Sequence, residues 1–367
     1  MSVIIGSDVS ISSQVVLNNA YVEDGLLKLR RITLGDHAYV GSSAVISGNS
    51  VIEEWGELKD LSMLQEGKTI RSGEIWQGSP AVFKEKMDVK DLPQPLFVSD
   101  ARRRKYTMIF AVSLLVFPFV VLLPLLPTII IINNLDNSTP DYDFSYLFVT
   151  PSLALSYIIV FTLVTVVLTR LLQWDIKPGK YPIYSWFYVR KWFADQLMSL
   201  SLIVLHPIYA TVYISLLFRA LGAKVGKNTE ISTASSVTHP LLNIGKGAFV
   251  ADAVTLGESD VRGQQLILDY TVIGNNSFVG NSALIPQGYN LPGRMLIGVL
   301  STPPDKGQLE KAKAKDWFGS PAIPLPRRQA SRTFASELTS RPSPHRILAR
   351  SIVEFIRILI PETVILI

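Results

Sequence analysis

The chain has 367 residues, of which 48% are hydrophobic and only 18% charged, with a net charge of +5. Ordinary soluble domains carry about a quarter charged residues, so this composition excludes a disordered chain and argues against a wholly soluble one. Cysteine is absent, which rules out disulfides, thiolate zinc sites and a cysteine nucleophile. The modest basic charge comes with no RNP, zinc-finger or phosphate-loop pattern, so nucleic acid is set aside as a partner.

In chain order, the first element predicted is a module over residues 1–97. Ile5, Ile11 and Leu17 lie six apart. The series restarts at Leu34 and runs through Val40, Ile46, Ile52, Leu58, Leu64 and Ile70. A period of six fits neither a helix nor an alternating strand. It fits a prism with one short strand per face, a turn at each corner and the aliphatic residue pointing inward. Three hexads make one coil, and stacked coils bury an aliphatic column. Glycine often follows the aliphatic position, and the expectation is that it serves the corner backbone.

Residues 98–176 read as a transmembrane hairpin. No charge interrupts Tyr106 to Leu135 or Phe144 to Thr169, and each run exceeds the roughly 20 residues needed to cross a bilayer. The spans are placed at about 106–132 and 145–169, with kinks expected at Pro118, Pro124 and Pro127. Arg102, Arg103, Arg104 and Lys105 precede the first span, while Arg170, Lys177, Lys180, Arg190 and Lys191 follow the second. The connecting loop, 133–143, carries only acidic charge. The positive-inside rule then puts both flanks in the cytoplasm and the loop on the opposite side. The loop holds a glycosylation sequon, Asn137-Ser138-Thr139, expected to be unused so close to the membrane.

Residues 177–222 contain a third apolar stretch, 196–218, interrupted by His206 and Pro207 and read as interfacial or re-entrant helix. A second six-residue series fills 223–330, through Val225, Ile231 and Val237, then Ile244, Val250 and Leu256, then Ile273, Val279, Ile285, Leu291 and Ile297. Sliding the sequence by 239 residues superposes the two series: of the 42 positions from Ile5 to Ile46, thirteen are identical. They include Val22/Val261, Leu27/Leu266 and Leu29/Leu268. Gly78-Ser79-Pro80-Ala81 likewise matches Gly319-Ser320-Pro321-Ala322. The chain therefore carries one module twice, and two copies of one module are expected in one compartment, which requires an even number of crossings between them. Residues 331–367 read as a linker and the start of a further transmembrane segment. On this register the chain is expected to begin part-way through a module and to stop inside another hairpin.

The strings Glu230-Ile231-Ser232-Thr233, Val237-Thr238-His239, Phe249-Val250-Ala251-Asp252-Ala253-Val254, Phe278-Val279-Gly280-Asn281-Ser282-Ala283 and Trp317-Phe318-Gly319-Ser320-Pro321-Ala322 support a resemblance. They resemble the C-terminal membrane region of ε-poly-L-lysine synthetase-like nonribosomal peptide synthetases. The modules themselves resemble the left-handed parallel β-helices of hexapeptide-repeat acyltransferases. The fold class this implies is mainly β, two left-handed β-helices, with an α-helical transmembrane hairpin. Handedness comes from the resemblance, not from the spacing.

The resemblance also implies amide-bond formation from a carrier-bound aminoacyl thioester. The phosphopantetheine arm would come from a carrier domain outside this chain, with upstream adenylation and carrier domains in cis. A third β-helix module, or trimer-like packing, would complete the assembly, and the fragment alone is expected to be inactive. Two alternatives stay open: a stand-alone membrane acyltransferase using acyl-CoA, and a noncatalytic scaffold. A general base is needed to free the attacking amine, and histidine is the usual one. His239, at a coil corner of the second module, is the catalytic candidate. Asp252 would orient it or hold the substrate amine, and Glu230 would add negative charge for a cationic amino acid. His37 reads as a turn residue, since its counterpart is Asn276. His206 reads as packed or interfacial and His345 as exposed, and Arg327 and Arg328 carry no assigned chemistry. No metal site is expected.

Overall fold

The computed structural model describes residues 2–136, 146–311, 315–326 and 342–366. The sequon, most of the loop at 133–143 and Arg327 and Arg328 lie outside the described residues.

The first module is a coil of short parallel strands on three faces. One face pairs Val3–Ile5, Ile32–Leu34, Val51–Ile52 and Thr69–Ile70. In it Leu34 faces Ile52 and Ile52 faces Ile70, a step of eighteen residues, which is three hexads per turn. The aliphatic series forms the core: Val40, Ile46, Ile52, Leu58, Leu64 and Ile70 are all fully buried. Each such side chain contributes roughly 1.5–3 kcal/mol. The second module repeats this, with Val250, Leu256, Ile273, Val279, Ile285 and Ile297 fully buried. Its strands pair in the same sense, Ile244 with Ile273 and Ile273 with Leu291.

The expectation that glycine serves the corners holds in part, at Gly67 and Gly73 in the first module and at Gly247 and Gly288 in the second. Left-handed backbone falls every six residues at His37, Ser43, Asn49, Trp55 and Leu61, with φ between 49° and 61°. The second module does the same at Asn276, Ser282, Arg294 and Leu300. The glycine after the inward aliphatic has another duty. A Cβ on Gly35 would lie 2.6 Å from the Glu54 backbone nitrogen, in the next coil. Glycine there lets one coil sit against the next, while the corners take non-glycine residues as well as glycine.

The gap in each hexad series is a β-hairpin that leaves the coil as an arm. In the first module it pairs Ala20–Glu23 with Leu26–Leu29, and in the second Asp260–Arg262 with Gln265–Leu268. Both turns have two central residues at positive φ, Asp24-Gly25 and Gly263-Gln264, the geometry that matches strand twist in a two-residue hairpin. The second arm gains a third strand, Gly179–Pro182, which pairs antiparallel with it. Leu266 and Leu268 pack there with Ile176, Leu241, Tyr181 and Phe187.

Between the modules run α1 (Asp100–Leu122), α2 (Leu126–Asp136), α3 (Tyr146–Leu172), α4 (Trp186–Val204) and α5 (Ile214–Leu221). Two stretches among the described residues, Asp100–Asn134 and Phe148–Leu172, are long and apolar enough to cross a membrane. The first gives way to a 3-10 turn at Leu123–Leu125, beside Pro124 and Pro127. The third apolar stretch is broken: α4 ends before a 3-10 turn at His206–Ile208, and α5 follows. Helix α5 lays Leu217, Phe218 and Leu221 on the end of the second coil column. After a short α6 (Lys306–Lys311) comes α7 (Pro344–Leu366), which carries Arg350, Glu354, Arg357 and Glu362. It lies against α3, and Glu354 accepts a hydrogen bond from the Val212 amide at 2.6 Å.

Candidate functional site

The structure does not gather the three residues singled out from sequence. His239 opens a short 3-10 turn and is 1% exposed, its ring 4.8 Å from that of Phe218. Neither ring nitrogen has a hydrogen-bond partner among the described residues. Burial, and then the charge of Lys191, push its pKa down to about 3, so the ring is neutral at working pH. Asp252 sits at an exposed corner and accepts hydrogen bonds from the Ser232 and Thr233 hydroxyls of its own module. Glu230 pairs with Arg350 of α7 at 2.7 Å. His37 is a corner residue stacked on Trp55, and His206 and His345 are exposed. Among the described residues, no three His, Asp or Glu side chains are gathered to hold a metal ion.

A sizeable cleft lies elsewhere, between the two modules. It has a volume of about 540 Å³ and takes one wall from Ser42, Lys59, Asp60 and Lys84, the other from Glu258, Asp260, Arg262 and Tyr289. The second module's arm forms its clasp. Arg262 donates to both Glu57 oxygens, at 2.8 and 3.1 Å, and to Asp260 at 2.8 Å. Its guanidinium lies 3.6 Å over the Tyr39 ring. At the arm's tip, Gly263 has φ +54°, and a Cβ there would lie 2.5 Å from the Pro93 carbonyl oxygen. This is a close approach that only glycine permits. Further links are Gln264 to Asp8 at 2.9 Å and Lys84 to Asp305 at 2.8 Å. The Ser320 hydroxyl donates to the Asp60 carbonyl at 3.2 Å.

The charges in the cleft are unevenly matched. Burial alone would raise Glu57, but Arg262 and Lys59 outweigh it and hold the carboxyl at about 2. Asp60 shows the opposite balance. Burial pushes it up to about 6, only partly offset by the Ser42 amide that donates to Oδ1 at 2.8 Å. The nearby Lys59 is committed to Glu57 at 2.6 Å. Glu258 accepts from the Ser42 hydroxyl at 2.6 Å and from Ser13 at 2.9 Å. Among the described residues, neither Asp60 nor Glu258 forms a salt bridge, so two carboxylates joined through Ser42 face the cleft without an ion-pair partner. A carboxyl titrating near neutral pH beside bound water or substrate can exchange a proton.

Sequence reasoning passed over this site because it worked from positions shared by the two copies. At the shift of 239, Asp60 meets Val299, Glu258 meets Asn19 and Arg262 meets Glu23. The cleft is built from residues at which the copies differ, and that list of charge differences would have exposed it.

Among known proteins, the chain is 38% identical over 365 residues to the δ-poly-L-ornithine synthetase of Acinetobacter baumannii. The chain is a relative of a segment of a poly-amino-acid synthetase. The match covers 96% of the chain and 27% of the synthetase, so the chain spans about a quarter of the length of that relative. An uncharacterised protein of Dictyostelium discoideum is 35% identical over 77 residues, 21% of this chain and 31% of its own. A solved hexapeptide transferase family protein of Anaplasma phagocytophilum overlaps 24% of the chain and 70% of its own, at 25% identity and a TM-score of 0.17. The fold rests on the strand registers above and not on that overlap. No protein-family model matches the chain.

Proposed function

We propose that this segment belongs to a membrane-bound enzyme that joins amino acids, delivered as carrier-bound thioesters, into an amide-linked homopolymer. The observation that carries this reading is the identity to the poly-ornithine synthetase along nearly the whole chain. The two apolar stretches, flanked by Arg102–Lys105 and Arg170, support insertion as a hairpin with both modules on the cytoplasmic side. The coils are taken to wind left-handed, as in the acyltransferases they resemble.

The phosphopantetheine arm is a substrate of this chain and not a resident cofactor. It would arrive on a carrier domain loaded by an adenylation domain. The chain has no cysteine, so no acyl-thiol intermediate can form on it. The amine then attacks the thioester directly: the C–N bond forms, the C–S bond breaks, and the amine's protons must be removed. An open, negatively charged cleft between two modules suits a cationic amine acceptor. A third module or trimer-like neighbour would complete the assembly.

The test is to separate loading from joining. In membranes holding the full-length protein with its adenylating and carrier functions, ATP and a cationic L-amino acid should give loaded carrier and then oligomer. Deleting residues 223–326 should leave loading intact and abolish oligomer. Oligomer from that deletion, or transfer only from acyl-CoA, overturns the reading.

A further inference from the structure

We propose that the cleft between the modules is the amine-acceptor site, in which a protonated aliphatic amine lies against Asp60 and Glu258 and Asp60 takes its proton as the amide forms. The site rests on the reading above for its reaction, but its binding chemistry stands on the structure alone.

Three observations carry it. First, Asp60 and Glu258 are carboxylates without a cationic partner among the described residues, while every neighbouring cation is engaged or, for Lys306, lies toward the Tyr289 ring. A carboxylate held partly out of water without an ion-pair partner is costly, and an incoming ammonium relieves that cost. Second, Ser42 fixes both acids from one residue, its amide on Asp60 and its hydroxyl on Glu258. Both acids are thus tied to one coil residue, Asp60 through its backbone amide and Glu258 through its side-chain hydroxyl. Third, Thr302 lines the same cleft with its hydroxyl buried and without a partner. An amine or amide of a bound ligand would satisfy it. The volume, about 540 Å³, holds an amino acid with room for the end of a pantetheine arm.

In the reaction, the Asp60 carboxylate accepts one proton from the ammonium. The neutral amine attacks the thioester carbonyl, the C–N bond forms and the C–S bond breaks. The second amine proton leaves with the sulfur as free thiol, and Asp60 returns its proton to water. The Glu258 carboxylate, fixed by Ser42, holds the cationic end.

The purified full chain in detergent should bind cadaverine and L-ornithine by calorimetry. Asp60→Asn and Glu258→Gln should each weaken binding at least tenfold. Asp24→Asn, on the exposed first arm, should leave it unchanged. Thermal unfolding of each variant reports that the fold is intact. In the full-length protein, Asp60→Asn should lose joining at least a hundredfold with carrier loading unaltered. Asp60→Glu should retain a rate that rises with pH through the carboxyl's titration. Unchanged amine binding in both folded cleft variants overturns the site, whatever the reaction. Normal joining by Asp60→Asn with an unchanged pH profile overturns Asp60 as proton acceptor. Amine binding that depends on Asp60, in a protein that never joins amino acids, leaves the site standing and overturns the synthetase reading instead.

Discussion

The two modules share a coil but not its surroundings. Leu266 and Leu268 on the second arm are each 2% exposed, whereas their counterparts Leu27 and Leu29 on the first arm are 66% and 63% exposed. The same contrast holds at the coil ends. Helix α5 and the coil at Lys224–Val237 cover the second column, while Ile5 and Ile11 at the start of the first remain 52% and 40% exposed. The hexad pattern therefore specifies the coil, and the arm's apolar residues specify a hairpin with one sticky face. Whether that face is buried depends on what the rest of the chain lays on it. For the second arm this is the strand Gly179–Pro182 with Tyr181 and Phe187.

The comparison can be broken at several depths. The largest expected effect is common to both copies: Val40→Asp or Val279→Asp puts an unpaired charge in a fully buried column. Each should cost more than about 4 kcal/mol and show as loss of folded protein on size exclusion. A large effect in one module only would mean that the columns are not equivalent.

Next is the clasp. Arg262→Met leaves Glu57 buried with Lys59 alone, which should cost about 3 kcal/mol in denaturant unfolding. The matching change at Glu23, its counterpart on the exposed arm, should cost almost nothing. In the wild type, Glu57 lies below its unfolded value. Its contribution is full above about 4.5 and is lost as pH falls toward 2. Arg262→Met should move that loss to higher pH.

A sharper contrast follows on the arms. Leu268→Ala should cost about 2–4 kcal/mol, and Leu29→Ala less than about 0.5 kcal/mol. Equal costs would show that the first arm is covered in solution.

The smallest effects concern titration. Asp60 lies above its unfolded value, so its contribution is full below about pH 4 and is lost as pH rises through about 6. Above pH 6, Asp60→Asn should therefore stabilise the chain, by about 1 kcal/mol in thermal unfolding, even as it removes function. His239 lies below its unfolded value, so its contribution is full above about 6.5 and falls toward pH 3. His239→Phe should flatten that acid limb. Retained joining by a folded His239→Phe would show that the histidine serves packing.

Much of this fold was legible because a six-residue aliphatic period has few structural solutions. The strand faces and the buried column follow from Leu34 to Ile70 and from Ile244 to Ile297. The arms were less legible. They interrupt the period, yet the identities Val22/Val261, Leu27/Leu266 and Leu29/Leu268 fall inside that interruption and mark an element common to both copies. The cleft was not legible from periodicity at all, since Asp60 and Glu258 belong to different modules and occupy positions where the copies diverge. His239 drew attention as a histidine at a corner. That Phe218 folds over it depends on α5, whose docking no local pattern announces.

The clasp of Arg262 on Glu57 also sets a timetable. Asp60 and Glu258 are separated by about 200 residues of chain, including the whole helical region. At a synthesis rate of 5–20 residues per second, the first wall of the cleft precedes the second by roughly 10–40 s. Throughout that interval Glu57 is made before Arg262 and waits with Lys59 alone, and the amine site does not yet exist. The cleft thus cannot assemble until the second module's arm has been made, and the docking of that arm on Glu57 joins its two walls.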